Sequence, residues 1–282
     1  MIDYGMKNME RIILIIGKRS NLSKKIFQKL DNVVLISSSD VLENIDLFDT
    51  YKNFGIVLIF NNFQPSYELN NTENPLTYIS HSVLLTSMVL SKIKNNFTVD
   101  KIIYTSSSSV YGNNNFCDEN DVLMPLSLHA SLKISNEKLV ENYCITYNIN
   151  YTITRVFNMY GGEDKFSIVS KIIASINNKE ELTLLNQGSA IRDYIHIDDV
   201  VNAYLKLIDM REVFYINIAS GLGTSVKNII DYLRINKVNV KIKNISKKEI
   251  KISTSSVDKL NQIMDIGKFI HVEKFILKQL KL

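Results

Sequence analysis

The stretch "RIILIIGKRSNLSKKIF", residues 11–27, decides the fold. Its opening is a run of isoleucine and leucine without polar alternation, the signature of a strand buried on both faces. Gly17 and a short polar turn follow, and "LSKKIFQKL" (22–30) then repeats its apolar residues at helical spacing. The strand signature returns in "NVVLIS" (32–37), "FGIVLIF" (54–60), "VDKIIYTSS" (99–107) and "NYTITRVF" (150–157), with helical stretches at 74–95 and 130–148. Strand, helix, strand at this pitch predicts an α/β chain, a Rossmann-like doubly wound parallel sheet with right-handed crossovers. Ligands bind such sheets at the carboxyl ends of the strands.

After residue 158 the texture changes. "SIVSKIIASI" (167–176) and "SVKNIIDYL" (225–233) are helical, and "ELTLLN" (181–186) and "VFYINIA" (213–219) are short strands. The expected organisation is a dinucleotide-binding domain over 1–158. A smaller C-terminal lobe is expected over 159–282, partly intermixed with the last sheet strands.

Composition narrows the function classes. A chain of 282 residues with 45% hydrophobic residues can bury a substantial core. Its net charge of +4 is spread along the sequence, which argues against a nucleic-acid partner. Cys117 and Cys144 lie apart with no CxxC or histidine-rich neighbour, so neither a disulfide framework nor a metal site is indicated, and a reducing, cytoplasmic setting is expected. "IILIIG" is too short to span a bilayer and no signal peptide precedes it, so no membrane partner is expected. The glycosylation-like "NNTE" around Asn71 reads as an accident of an Asn-rich composition.

The first turn is a candidate phosphate loop. Gly17, Ser20 and Ser23 have GxxGxxG spacing, which serves a tight turn and close approach of backbone N–H groups to a pyrophosphate at a helix N-terminus. Leu22 belongs to the same candidate set. Only Gly17 is glycine, so a position needing positive φ would be strained. The second strand ends in Ser37, Ser38 and Ser39, not in the carboxylate that usually accepts the hydroxyls of an NAD ribose, and Arg19 lies in the loop. A guanidinium with hydroxyls suits a 2′-phosphate, which tilts the expectation to NADP(H) over NAD(H). The alternative is a solvated Arg19 with Asp40 serving the ribose.

Four further stretches occur in order: "YTSSSSVYG" (104–112), "HASLK" (129–133), "RVFNMYG" (155–161) and "RDYIHIDDV" (192–200). Together they resemble the extended short-chain dehydrogenase/reductases that act on nucleotide sugars, the epimerase/dehydratase family, over nearly the whole chain. The resemblance implies a role for Ser107 in bonding the sugar oxygen that gains or loses a proton. It implies that Lys133 holds the nicotinamide ribose and lowers the pKa of the acid/base. The family's acid/base tyrosine falls at His129. "NIDLFD" (44–49) resembles the family segment after strand three, placing Asp46 and Leu47 beside adenine, and the alanine pair of the family's fourth strand is Asn61-Asn62. Asn158 and Arg192 fall at substrate positions. Ser108, also a substrate candidate, stands with Ser109 where 4,6-dehydratases carry an acidic pair, so loss of water is not expected.

Imidazole, with a reference pKa of about 6.5 against about 10 for phenol, can exchange protons near neutrality. The expected reaction is hydride transfer at C4 of a nucleotide sugar. A 4-keto reductase is the favoured reading; the alternatives are a 4-epimerase and a non-catalytic nucleotide-sugar or dinucleotide-binding protein. The resemblance also implies a homodimer paired through the helices at 74–95 and 130–148, with Leu84, Met88, Leu139 and Tyr143 as candidate contacts.

Overall fold

The computed structural model describes residues 9–62 and 75–281, so the Asn71 match lies outside the described residues. In chain order the first elements are β1 (Arg11–Ile16), α1 (Asn21–Phe27), β2 (Val33–Ile36), α2 (Ser38–Glu43), β3 (Gly55–Phe60), α3 (Pro75–Ile79), α4 (Leu85–Ile93) and β4 (Thr98–Ser107). Next come β5 (Asn114–Cys117), α5 (Leu128–Tyr147), β6 (Asn150–Val156), β7 (Asn158–Tyr160), α6 (Ile168–Asn178), β8 (Leu182–Leu185), β9 (Ile191–His196) and α7 (Ile197–Leu207). The last are β10 (Tyr215–Ile218), β11 (Gly223–Ser225), α8 (Val226–Ile235), β12 (Ile242–Ile245), β13 (Ile252–Ser255), α9 (Asp258–Ile263) and α10 (Val272–Gln279). The described residues form two compact units: 9–62, 75–106, 127–153 and 207–214 the first, and 107–126, 154–206 and 215–281 the second.

The first unit is built on β1. It pairs in parallel with β2 on one side and β3 on the other, and β3 pairs in parallel with β4. Within this unit these strands stand in the order β4-β3-β1-β2. The direction of travel reverses between β1 and β3, which is the switch point of a Rossmann-like sheet. Leu14, Ile15, Ile16, Val57, Leu58, Ile59 and Phe60 are all fully buried, which is why these runs carry no polar alternation. Leu22, Ile26, Leu85 and Val89 bury the matching helix faces.

One expectation needs correction. Among the described residues no strand stands between β2 and Asp46, so Asp46 and Leu47 do not follow a third strand, and Asn61-Asn62 end the third strand and not a fourth. Ser37 Oγ accepts from Ser39 N and starts α2, and Asn44 Oδ1 accepts from Asp46 N and starts a 3-10 turn over Ile45–Tyr51. The stretch "SSSDVLENIDLF" buries only Val41 and Phe48, with side-chain caps at both turns, which favours two short helical pieces over a strand. The helix expected over 74–95 is likewise broken, with a π-helical segment, Ser80–Leu84, between α3 and α4.

The second unit holds a sheet in the order β11-β9-β13-β5, with β7 also paired to β9, and a small β12-β8 pair. Its core gathers Tyr160, Ile172, Leu184, Ile229, Leu233 and Ile276. Among the described residues no helix is long and apolar enough to cross a membrane. Both cysteines are buried and free.

Candidate active site

The loop after β1 fits a dinucleotide. Gly17 has φ +116°, and a Cβ there would lie 2.2 Å from the carbonyl oxygen of Asn61, so only glycine keeps this turn. Ser20 sits at φ −63°, an ordinary extended residue, so the strain expected of a serine in this loop is absent. It opens α1 without a side-chain cap. Asn61 Nδ2 donates to Ser20 Oγ at 3.1 Å and to the buried Ser23 Oγ at 2.7 Å. Serine for glycine and asparagine for alanine thus account for each other: the buried hydroxyl has its partner because the alanine is gone. Leu22 is fully buried in the same helix.

Around the ribose position, Ser37 Oγ is engaged in capping α2, and Arg19 Nη2 stands 3.5 Å from Ser39 Oγ. Asp40 is exposed in the first turn of α2. The Asp46 side chain is 73% exposed and paired with Lys92, which also bridges Asp49 at 2.8 Å. Leu47 is half-buried beside it.

The acid/base candidates lie on the first turns of α5. Ser127 Oγ accepts from Ala130 N at 3.2 Å and fixes the start of that helix, so His129 and Lys133 fall one turn apart on one face. His129 Nδ1 is 2.9 Å from the hydroxyl of Tyr78 on α3, the two rings meeting edge to face. Burial, and then the charge of Lys133, push the imidazole pKa down to about 4. The positive end of the α5 dipole acts in the same direction. His129 is therefore neutral at physiological pH. Lys133 Nζ donates to the carbonyl of Thr105 at 2.7 Å and lies 5.0 Å over the ring of Tyr104. Burial pushes its pKa down to about 8, against the opposing charge of Glu137. Glu137 is itself fully buried and accepts from Ser106 Oγ.

The remaining candidates belong to the second unit. Ser107 Oγ accepts from Ser109 N at 3.2 Å, turning the chain into a short 3-10 segment, Ser108–Tyr111; the hydroxyl retains its own proton to donate. Ser107 and Ser108 are half-buried. Tyr111 donates to Asn217 Oδ1 at 2.7 Å and accepts from Arg155 Nη1 at 2.9 Å, which joins the "SSSSVYG" and "RVFNMYG" motifs through buried side chains. Asn158 Nδ2 donates to the carbonyl of Asp193 at 3.0 Å. Arg192 donates to the carbonyls of Ile191 and Ile250 and lies 3.5 Å from Glu249.

Two residues that sequence reasoning passed over hold these parts in place. Asp193, fully buried, accepts from Ser220 N (2.8 Å), Ser220 Oγ (2.7 Å) and Gly221 N (2.9 Å), and burial raises its pKa to about 6. Its signal was present, since it lies inside "RDYIHIDDV" next to Arg192. Tyr78 had no sequence signal at all.

Comparison with known proteins gives the family. Residues 8–219 match the NAD dependent epimerase/dehydratase family. Protein CapI of Staphylococcus aureus is 35% identical over 141 residues, covering 48% of this chain and 42% of that protein. A UDP-glucuronate 4-epimerase of Thermodesulfobacterium geofontis is 26% identical over 210 residues, covering 72% of this chain and 64% of the relative. The chain spans about half the length of the curated relatives it matches. The UDP-glucuronic acid 4-epimerase of Bacillus cereus, solved with UDP-glucuronic acid and NAD, shares the fold with a TM-score of 0.82 at 18% identity, over 95% of this chain and 98% of that one. Matched by that family over most of its length, the chain belongs to the NAD-dependent epimerase/dehydratase family.

Proposed function

We propose that the chain is a nucleotide-sugar 4-epimerase working with NAD. The observation that carries the reading is the geometry of α5, where His129 and Lys133 stand one turn apart and the imidazole has Nδ1 on Tyr78; burial, which pushes the His129 pKa down, supports it. A base that is unprotonated at neutral pH suits a reaction beginning with removal of the C4 hydroxyl proton, and its conjugate acid returns that proton once the keto sugar presents its other face. A reductase must begin by donating a proton, which neutral imidazole does poorly. The reductase lean drawn from the sequence also gains nothing from the relatives, several of which are named 4-epimerases. NAD, when bound, supplies the acceptor and then the donor of hydride.

The chain's own residues take the other roles. Gly17, Ser20 and the start of α1 hold the pyrophosphate, with Ser37, Asp46 and Leu47 toward the adenosine. Lys133 binds the nicotinamide ribose, and its charge adds to burial in holding the His129 pKa down. Ser107 donates to the sugar oxygen, and Ser108, Asn158 and Arg192 belong to the substrate side. Arg19 and Ser39 are the pair through which a 2′-phosphate would be preferred, and the neighbours solved with NAD do not favour that preference. The enzyme is proposed to be cytoplasmic and homodimeric, with Leu84, 47% exposed, and the half-buried Met88, Leu139 and Tyr143 as the contact face.

The test is incubation with UDP-glucose, UDP-glucuronic acid and UDP-N-acetylglucosamine, read by proton NMR. The expected result is a C4 epimer without net change in nicotinamide absorbance. Stoichiometric consumption of reduced cofactor with a 4-keto sugar would instead favour the reductase, and tight sugar binding without turnover the non-catalytic reading.

A further inference from the structure

The phenol that the family carries at the acid/base position is missing, yet a phenol stands against the imidazole that replaces it. We infer that Tyr78 is a positioning residue for His129: its oxygen accepts Nδ1–H, which fixes the tautomer whose Nε2 lone pair faces the sugar hydroxyl. The inference rests on the 4-epimerase reading, in which a base at Nε2 requires the proton at Nδ1; the 2.9 Å contact by itself accommodates either direction of donation.

Geometry gives the order of the two rings. Tyr78 is 4% exposed, whereas His129 is only partly buried, so the imidazole is the outer group and the phenol stands behind it. The hydroxyl reaches Nδ1 at 2.9 Å with the rings at 80°, which leaves Nε2 as the ring nitrogen for proton exchange.

Tyr78 is also held in place. The π-helical segment that follows it inserts an extra residue, which rotates α3 by about 100° against α4. That segment is tied down at both sides: Asn136 of α5 donates to Ser82 Oγ at 2.9 Å, and Asn62 donates to the carbonyl of His81 at 2.8 Å. The partner's chemistry fits the role. A carboxylate behind the ring would favour imidazolium, while a neutral phenol orients the ring without charging it. In the reaction the hydroxyl proton of the sugar moves to Nε2, Nδ1–H stays bonded to Tyr78, and the same proton returns from Nε2 to the epimeric oxygen.

The experiment is long-range proton–nitrogen NMR of the histidine-labelled protein near pH 7.5, with His129 assigned by His129→Gln, alongside kinetics of Tyr78→Phe. The expected result is a protonated Nδ1 and a bare Nε2 in the wild type. Tyr78→Phe, which keeps the ring, should convert this to a tautomer mixture and lower kcat about tenfold or more with KM unchanged. A wild-type Nε2–H tautomer, or a tautomer and kcat both untouched by Tyr78→Phe, overturns the inference. A tautomer shift in a protein that epimerises no nucleotide sugar leaves the positioning standing and removes the 4-epimerase reading. Should Tyr78→Phe fail to fold by circular dichroism, the wild-type tautomer alone decides.

Discussion

"RDYIHIDDV" and "HASLK" do opposite kinds of work. In the first, nearly every polar side chain is spent on the protein itself: Arg192 on two carbonyls and Glu249, Asp193 on Ser220 and Gly221, and Asp199 on the backbone N–H of Ile270. His196 is buried against Tyr160 and Phe275. In the second, His129 has one nitrogen on Tyr78 and keeps an open side. The stretch most diagnostic of the family is thus largely its internal scaffold, and the stretch that departs most from the family is the one proposed to hold the chemistry. Recognisability and reactivity are separate properties of a motif.

The contrast can be broken first at the cofactor turn, where the largest effect is expected. Gly17→Ala places a Cβ against the Asn61 carbonyl at positive φ, so NAD binding by calorimetry should disappear and stability should fall by about 3 kcal/mol. Retained binding would mean that the loop can rearrange and is not the cradle. Asp193→Ala comes next. It strips three donors of their acceptor and should cost about 2–3 kcal/mol in urea unfolding, with NAD affinity unchanged. An affinity loss without a stability loss would turn this scaffold residue into a site residue.

The compensation between Asn61 and Ser23 is a smaller effect. Asn61→Ala and Ser23→Gly should each cost about 1 kcal/mol, and the double variant less than their sum, because either change alone orphans the other buried group. Strict additivity would dissolve the pairing. The smallest effect belongs to Arg19→Ala, expected to lower the NADPH to NADH affinity ratio about threefold; an unchanged ratio removes Arg19 from cofactor choice.

Much of the fold was legible because β1 and β3 are buried on both faces and read as apolar runs, and because β4 and β6 keep β-branched residues through their buried stretches. The short strands β5, β7, β11 and β13 carry no such run and went unread. "SSSDVLENIDLF" misled because a resemblance supplied a strand that the local caps do not allow. For the site, the positions of His129, Lys133 and Gly17 follow from motif spacing. Their partners do not: Tyr78 reaches His129 across 51 residues and Asn61 reaches Ser23 across 38, and such contacts depend on how helices seat on the sheet.

The central claim is that His129 moves the proton. Because its pKa is held near 4, the base is available at neutral pH and is lost only as acid fills Nε2, so the oxidising half-reaction should hold its rate from neutrality down toward that value. The most direct measurement is the turnover of His129→Ala against wild type on the nucleotide sugar that the wild type epimerises. The account predicts a fall in kcat of about 10² or more with sugar and NAD affinity retained. Turnover near that of the wild type would contradict it and move the proton to Lys133, Ser107 or water.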